Sequence, residues 1–136
     1  MARIIGIDYG SKKTGIATTD PLQIICSPLT TVSTSELFAF LENYLSNEEV
    51  ETIVVGDPKN LDGSPAQIAH LVVGFTRKLK ELYPHLTIVL QDERFTSKEA
   101  KQIIINSGTK KKKRRDKSLV DKVSASLILQ TYMDKQ

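Results

Sequence analysis

The sequence predicts an α/β domain in which helices cover both faces of a mixed sheet. Runs of β-branched residues come first, and apolar residues at helical spacing alternate with strands later in the chain. No internal repeat and no interdomain linker divides the 136 residues, of which 40% are hydrophobic and 26% charged, as in an ordinary globular protein. We therefore expect one three-layer domain over residues 1–136.

Three strands are predicted before the first helix. Residues 3–8 form a β-branched run that ends in Asp8, a turn at 10–13 leads into a second strand at 14–19, and a third strand falls within 24–32. The connections are short, so these strands form an antiparallel meander. A capping-box pattern at 33–36 then begins a helix with five apolar residues at helical spacing: Leu37, Phe38, Leu41, Tyr44 and Leu45.

The later elements alternate between strand and helix, which predicts helical crossovers between the strands of a five-stranded sheet. Residues 52–56 and 87–91 are expected to be buried strands, and a short helix is expected from 96 to Gly108. Ser118 is expected to cap a last helix that runs to about residue 134. A further helix begins at Ser64-Pro65-Ala66-Gln67 and ends before Pro84, with the apolar stripe Ile68, Leu71, Val72, Phe75, Leu79 and Leu82.

Composition excludes several classes of protein. The single cysteine, Cys26, excludes a disulfide framework and a multi-cysteine zinc site, and two histidines are too few for a histidine metal site. No apolar run approaches the length of a membrane span, and the first residues lack the long apolar run of a signal peptide. We expect a cytoplasmic protein with no membrane partner.

The charge of the chain is concentrated in one segment. The net charge is +3, yet residues 110–117 alone carry seven basic residues and one acid, so the rest of the chain is net negative. A dense basic segment on a faintly acidic body predicts one contact with a polyanion. A solvated loop is the alternative, and composition does not choose between the two.

Three acids occupy positions where a hard-cation site could form. Asp8 ends the first strand, Glu93 follows a later strand that we expect to be an inner one, and Asp121 lies near the start of the last helix. Open α/β sheets place their sites beyond such strand ends, and oxygen ligands suit Mg²⁺ or Mn²⁺. The ordinary alternatives are that Asp8 accepts backbone N–H groups and that Asp121, at N3 after Ser118, caps its helix.

Four blocks of the sequence resemble the YqgF family, also called RuvX-like, and they occur in family order over nearly the whole chain. They are Asp8-Tyr9-Gly10-Ser11-Lys12-Lys13-Thr14-Gly15-Ile16-Ala17, then Val55-Gly56-Asp57-Pro58 with Leu61-Asp62-Gly63-Ser64, then Asp92-Glu93-Arg94-Phe95-Thr96 with Ala100, and the stretch from Asp121 to Tyr132. Two positions depart from the family pattern. Asp57 stands where an apolar residue is usual, and the usual paired alanines of the last helix read Val123-Ser124-Ala125.

The resemblance implies an RNase H-like fold and a metal-dependent nuclease that acts on structured nucleic acid. Family members include Holliday junction resolvases and bacterial nucleases that mature the 5′ end of 16S rRNA. The family's acidic triad corresponds to Asp8, Glu93 and Asp121, which implies that Asp8 bridges two Mg²⁺ or Mn²⁺ ions and that the other two acids each hold one. Asp92 is a possible substitute for Glu93, although pairing with a neighbouring base is the favoured role.

Basic residues complete the expected site. We expect contacts with the nucleic-acid backbone from Lys12, Lys13, Arg94, Lys110, Lys111, Lys112, Lys113, Arg114 and Arg115. Solvated turn lysines, and pairing of Arg94 with Asp92 or Glu93, are the alternatives. The expected partner is structured RNA, branched DNA or a ribosomal particle, and the expected oligomeric state is a monomer or weak homodimer.

Two rival functions remain. A sugar kinase or actin-like ATPase has a similar Asp-x-Gly hairpin but needs a second such domain, for which 136 residues are too few. A non-catalytic RNA- or ribosome-binding module would keep the fold without the chemistry. That reading would be favoured by loss of an acid, and all three acids are present.

Overall fold

A five-stranded mixed sheet forms the centre of the molecule. The computed structural model describes residues 2–58, 67–92, 102–103 and 117–135. The strands lie in the order β3-β2-β1-β4-β5, with β1–β2–β3 antiparallel and β1–β4–β5 parallel. Their bounds are Arg3–Asp8 (β1), Lys13–Thr19 (β2), Cys26–Ser33 (β3), Val50–Asp57 (β4) and Thr87–Asp92 (β5). The predicted α/β class, meander and central position of β1 are confirmed.

Helices cover both faces of this sheet. A 3₁₀ turn at Thr34–Glu36 leads into α1 (Leu37–Asn47), and α2 (Ala69–Leu82) joins β4 to β5 along the chain. Both pack on one face, while α3 (Lys117–Asp134) lies on the other. The architecture is therefore three-layered. Most of the predicted short helix from 96 to Gly108 lies outside the described residues.

Side-chain alternation along the strands divides the core into two halves. In β4, Ile53 and Val55 face α1 and α2, whereas Val54 faces α3, and all three are fully buried. This is why residues 52–56 read as a continuous apolar run. The first half also contains Ile5, Ile7, Ile16, Leu37, Leu41, Val72, Phe75 and Leu79, and the second contains Ile4, Ala17, Ala125, Ile128 and Leu129.

Two expectations about helix boundaries and faces are wrong. Ser33 makes no capping hydrogen bond with its side chain. The hydroxyl of Thr34 instead donates to the carbonyl of Gly10, at 2.7 Å. In α2 the buried stripe is centred on Val72, Phe75, Thr76 and Leu79, while Leu71 and Leu82 are 39% and 50% exposed. The predicted helix start at residues 64–66 lies outside the described residues.

The prediction that β5 is an inner, buried strand is also wrong. β5 is an outer strand of the sheet, and Leu90 is 46% exposed. An apolar triplet such as Ile88-Val89-Leu90 occurs in edge and inner strands alike, so its composition does not fix its place in the order.

Candidate active site

Asp8 stands at the carboxyl end of the central strand, on the face covered by α3. Along β1, Ile5 and Ile7 enter the core beneath α1 and α2, whereas Ile4 enters the core beneath α3. Side chains alternate along a strand, so Asp8 shares the face of Ile4. Its side chain is half-buried there.

Asp121 is held beside Asp8 by direct contact between α3 and β2. Gly15 is the partner of Asp8 in the antiparallel ladder. A β-carbon on Gly15 would overlap the carbonyl group of Asp121, so the helix backbone lies directly on the strand. Paired residues of such a ladder are about 5 Å apart. Asp8 and Asp121 therefore start from neighbouring points on one face of the sheet.

A second glycine supports the same close approach. A β-carbon on Gly6 would lie 2.8 Å from the carbonyl oxygen of Ala125 and 2.8 Å from Cβ of Leu129. The sequence analysis did not identify this role of Gly6 and Gly15. The available signal was that Gly6 lies two residues before Asp8, and hence on the same face of the strand.

The helix-capping explanation of Asp121 is wrong. α3 begins at Lys117, so Asp121 is its fifth residue, and the first turn carries no acidic residue. Ser118 accordingly lies within the helix and is not its N-cap. The Oδ2 atom of Asp121 is buried. A carboxylate is costly to bury unless protein groups or a cation compensate its charge.

Asp57 and Asp92 form a second acidic pair on the opposite face. They are partners in the parallel ladder between β4 and β5. Asp57 has the parity of Val55, which lies in the core beneath α1 and α2. The sheet therefore separates Asp92 from Asp8 and Asp121, and Asp92 is badly placed to substitute for Glu93.

The tip of the β1–β2 hairpin is braced by threonine hydroxyls. Thr14 Oγ1 and Thr34 Oγ1 are 2.9 Å apart, and the backbone N–H of Thr34 donates to the carbonyl of Lys12 at 2.9 Å. The hairpin turn is thus tied to the start of α1. Lys12 and Lys13 are both exposed on it, and Lys13 has the parity of Gly15, on the face of Asp8.

The remaining predicted site residues lie outside the described residues. They are Glu93, Arg94, Lys110, Lys111, Lys112, Lys113, Arg114 and Arg115. The structure thus brings together two of the three predicted acids and two of the predicted basic residues at one end of the sheet.

The two carboxylates fit a hard divalent cation. Mg²⁺ is typically held by one or two carboxylates, with water and substrate phosphate oxygens completing its coordination. Asp8 and Asp121 supply that number from two rigid elements. Within the described ranges, no group of three His, Cys, Asp or Glu side chains is placed to hold a metal ion.

An acidic pair on the central strand and the last helix of a three-layer α/β fold, beside exposed lysines, is typical of RNase H-like nucleases. The chain belongs to the RuvX family, whose model is described as Holliday junction resolvase and matches residues 2–135. Family members are nuclease hydrolases. No helix in the described segments is long and apolar enough to cross a membrane.

Curated relatives match over the whole chain. A protein from Christiangramia forsetii is 51% identical over 98% of this chain and 98% of its own length. One from Flavobacterium psychrophilum is 47% identical over 100% and 99%, and one from Porphyromonas gingivalis is 48% identical over 98% and 97%. All three are described as "Putative pre-16S rRNA nuclease".

Solved structures resemble the chain more distantly. Pelota from Archaeoglobus fulgidus matches 98% of this chain and 37% of its own, at 19% identity and a TM-score of 0.48. YeaZ from Pseudomonas aeruginosa matches 79% of this chain and 50% of its own, at 11% identity and a TM-score of 0.44. This chain thus spans half or less of each of those proteins.

Proposed function

We propose that this protein is a metal-dependent endonuclease that matures the 5′ end of precursor 16S rRNA in the cytoplasm. The observation that carries the proposal is the contact between Gly15 and Asp121, which sets Asp121 beside Asp8. The substrate is inferred from relatives of 47–51% identity that carry the name of pre-16S rRNA nuclease and match nearly end to end.

In this proposal Asp8, Glu93 and Asp121 hold two Mg²⁺ or Mn²⁺ ions. Such a pair supplies an activated water and stabilises the leaving oxygen of a phosphodiester. The chain's contribution is to fix the ligands. Asp8 is fixed by its place at the end of the central strand, and Asp121 by the packing of α3 on Gly15. Asp8 is assigned to both ions, and Glu93 and Asp121 to one each.

The basic residues orient the nucleic acid. Lys12 and Lys13 are exposed on a braced turn at the end of the sheet where Asp8 lies, so a strand bound at the acids passes within their reach. We assign phosphate contacts to these lysines, to Arg94 and to the segment 110–115. Phosphate contacts carry no sequence information, so this surface binds structured RNA or a ribosomal particle without reading bases.

The description of the family model supports a second candidate, cleavage of four-way DNA junctions. A symmetric junction has two equivalent scissile strands, so this reading calls for a dimer. Pre-rRNA maturation is compatible with a monomer. A non-catalytic binding module is the remaining alternative.

The test is a cleavage assay on a 5′-extended 16S precursor RNA and a synthetic four-way junction, with Mg²⁺, Mn²⁺ or EDTA. We expect the wild type to cut the RNA faster than the junction, only with metal, and Asp8→Asn and Asp121→Asn to be inactive. Asp92→Asn is the matched control, because it makes the same chemical change on the opposite face and should retain cleavage.

Each other outcome has a definite meaning. Faster cutting of the junction would assign the protein as a resolvase, and sedimentation should then show a dimer on it. If both substrates are bound with steep salt dependence but neither is cut, the protein is a binding module and the catalytic assignments are wrong.

A further inference from the structure

Ser124 is a buried serine on the helix that carries Asp121. Its side chain is 1% exposed, and within the described part of the chain its Oγ atom has no hydrogen-bond partner. A buried hydroxyl without a partner destabilises a folded protein, because its hydration is lost and not replaced.

Other hydroxyls of α3 do not share this property. Ser126 donates to the carbonyl of Val123 at 2.7 Å, and Thr131 donates to the carbonyl of Leu127 at 2.8 Å. Bonding to a carbonyl three or four residues back is the usual fate of a helical serine or threonine. Ser124 is the exception among these three, so its hydroxyl remains available to a group outside the helix.

The direction of Ser124 can be read from its neighbours. The carbonyl of Ser126 accepts the Cys26 thiol at 3.5 Å, so that side of α3 faces β3. Two residues of an α-helix correspond to about 200° of rotation. Ser124 is therefore turned away from β3, towards the half of the sheet that contains β4 and β5.

Ser124 also lies within one turn of the acidic pair. It follows Asp121 by three residues, a spacing that places two side chains side by side on a helix. Asp121 and Ala125, which bracket it, are the points at which α3 touches Gly15 and Gly6. Its hydroxyl is thus held at fixed depth, beneath α3 and beside the carboxylate of Asp121.

We propose that Ser124 is a positioning residue of the metal site: its hydroxyl hydrogen-bonds a water molecule of the hydrated divalent cation held by Asp121. This inference depends on the proposed function and adds to it a residue outside the acidic triad. Groups that hydrogen-bond the ligands of a metal typically change its affinity by about 10- to 100-fold. Binding of the hydrated cation supplies the partner that the buried hydroxyl lacks.

The test compares Ser124→Ala with the matched variant Ser126→Ala, whose hydroxyl is satisfied by the helix itself. Without metal, Ser124→Ala should melt at a higher temperature than the wild type, because the unpartnered hydroxyl is gone. Titration calorimetry with Mn²⁺ and Mg²⁺ should show about a tenfold weaker dissociation constant for Ser124→Ala and no change for Ser126→Ala.

A double-mutant cycle with Asp121→Asn locates the effect. If Ser124 acts on the cation held by Asp121, Ser124→Ala should cause no further loss of affinity in the Asp121→Asn background. Ser124→Thr, which keeps the hydroxyl, should retain most of the affinity and shows whether the hydroxyl or the side-chain volume matters.

Unchanged metal affinity in Ser124→Ala, with a higher melting temperature, would overturn the inference and leave a serine in a site suited to alanine. Equal losses with and without Asp121 would overturn it as well, since the serine would then act elsewhere. If the wild type binds neither ion, the metal site of the proposed function fails and this inference fails with it. That result differs from the first because the wild type itself is affected.

Discussion

The backbone of Asp121 lies directly on Gly15, the ladder partner of Asp8. One glycine therefore sets the separation between the two acids that the structure describes at the candidate site. Any side chain at position 15 must push the start of α3 away from the sheet, because the obstructing atoms belong to backbone and cannot rotate aside. The position of Asp121 is thus determined by a residue with no functional group.

Gly15→Ala should damage stability and metal binding together. Forcing an extra methyl group into a packed site costs about 1–3 kcal/mol, occasionally more, and here the displaced element is the one that carries Asp121. We expect a lower denaturation midpoint, and loss of the rise in melting temperature that Mg²⁺ gives the wild type. Normal Mg²⁺ stabilisation in a folded Gly15→Ala protein would show that the contact does not set the site.

Gly74→Ala provides the control for this substitution. Gly74 lies within α2, and a β-carbon there would meet no atom within 4 Å. Alanine favours a helix over glycine by about 0.5–1 kcal/mol. We expect this variant to be more stable than the wild type by that amount in urea denaturation, with unchanged Mg²⁺ binding.

The sequence predicted most of the layout of the sheet but not its edges. Residues 3–8 and 52–56 are apolar on both faces, which only a covered strand allows, so the inner strands β1 and β4 were recognisable. Leu90 belongs to an equally apolar run, yet it lies on an outer strand and is 46% exposed. Which strand neighbours which is decided by tertiary packing, and local composition does not record it.

The candidate site was predictable in part for the same reason. Asp8 and Asp121 stand out because acids at a strand end and near a helix start are recognisable in sequence. The helix-capping reading of Asp121 depended on a helix start one residue later than the structure shows. The parts played by Gly15 and Ser124 depend on where α3 meets the sheet, and no local pattern reports that contact.

Asp20 should titrate below its ordinary pKa. Its carboxylate accepts backbone N–H groups of Ile25 at 2.7 Å, Ile24 at 2.8 Å and Leu22 at 3.2 Å, and these bonds lower the pKa from 3.8. A lowered folded-state pKa gives stability that is present above the unfolded value and is lost as the pH falls through the folded value. Carboxyl-carbon NMR titration should place the Asp20 midpoint below 3.8.

Comparison with Asp20→Asn tests the same linkage through stability. The wild type should be more stable than the variant at neutral pH, and the difference should shrink in acid as Asp20 becomes protonated. A difference that stays constant down to the most acidic condition would mean that the charge of Asp20 contributes nothing to this loop.

Cys26 should react slowly with thiol reagents. Burial raises the pKa of its thiol, and Sγ donates to Gln130 Oε1 at 3.0 Å. The thiolate is the reactive form, so a raised pKa leaves less of it at neutral pH. We expect reaction with a disulfide reagent to be much slower in the native protein than in urea, and faster in Gln130→Ala than in the wild type. Equal rates in native and unfolded protein would contradict this.

The lysines of the hairpin tip should make phosphate contacts that disappear when their charge is removed. Each lost contact on a single strand lowers the slope of log affinity against log salt by about 0.7. We expect Lys12→Gln and Lys13→Gln each to bind precursor RNA more weakly at low salt and with a shallower slope than the wild type.

Lys80→Gln separates local contact from overall charge. Lys80 is an exposed residue in the last turn of α2 and makes the same change in net charge. It lies away from the site, because α2 ends just before the start of β5, whereas Asp8 lies at the opposite, carboxyl end of the parallel strands. If the lysines act through contact, Lys80→Gln leaves the salt slope unchanged. If all three variants lower the affinity equally with the wild-type slope, the hairpin lysines are solvated surface charges and the RNA is held elsewhere.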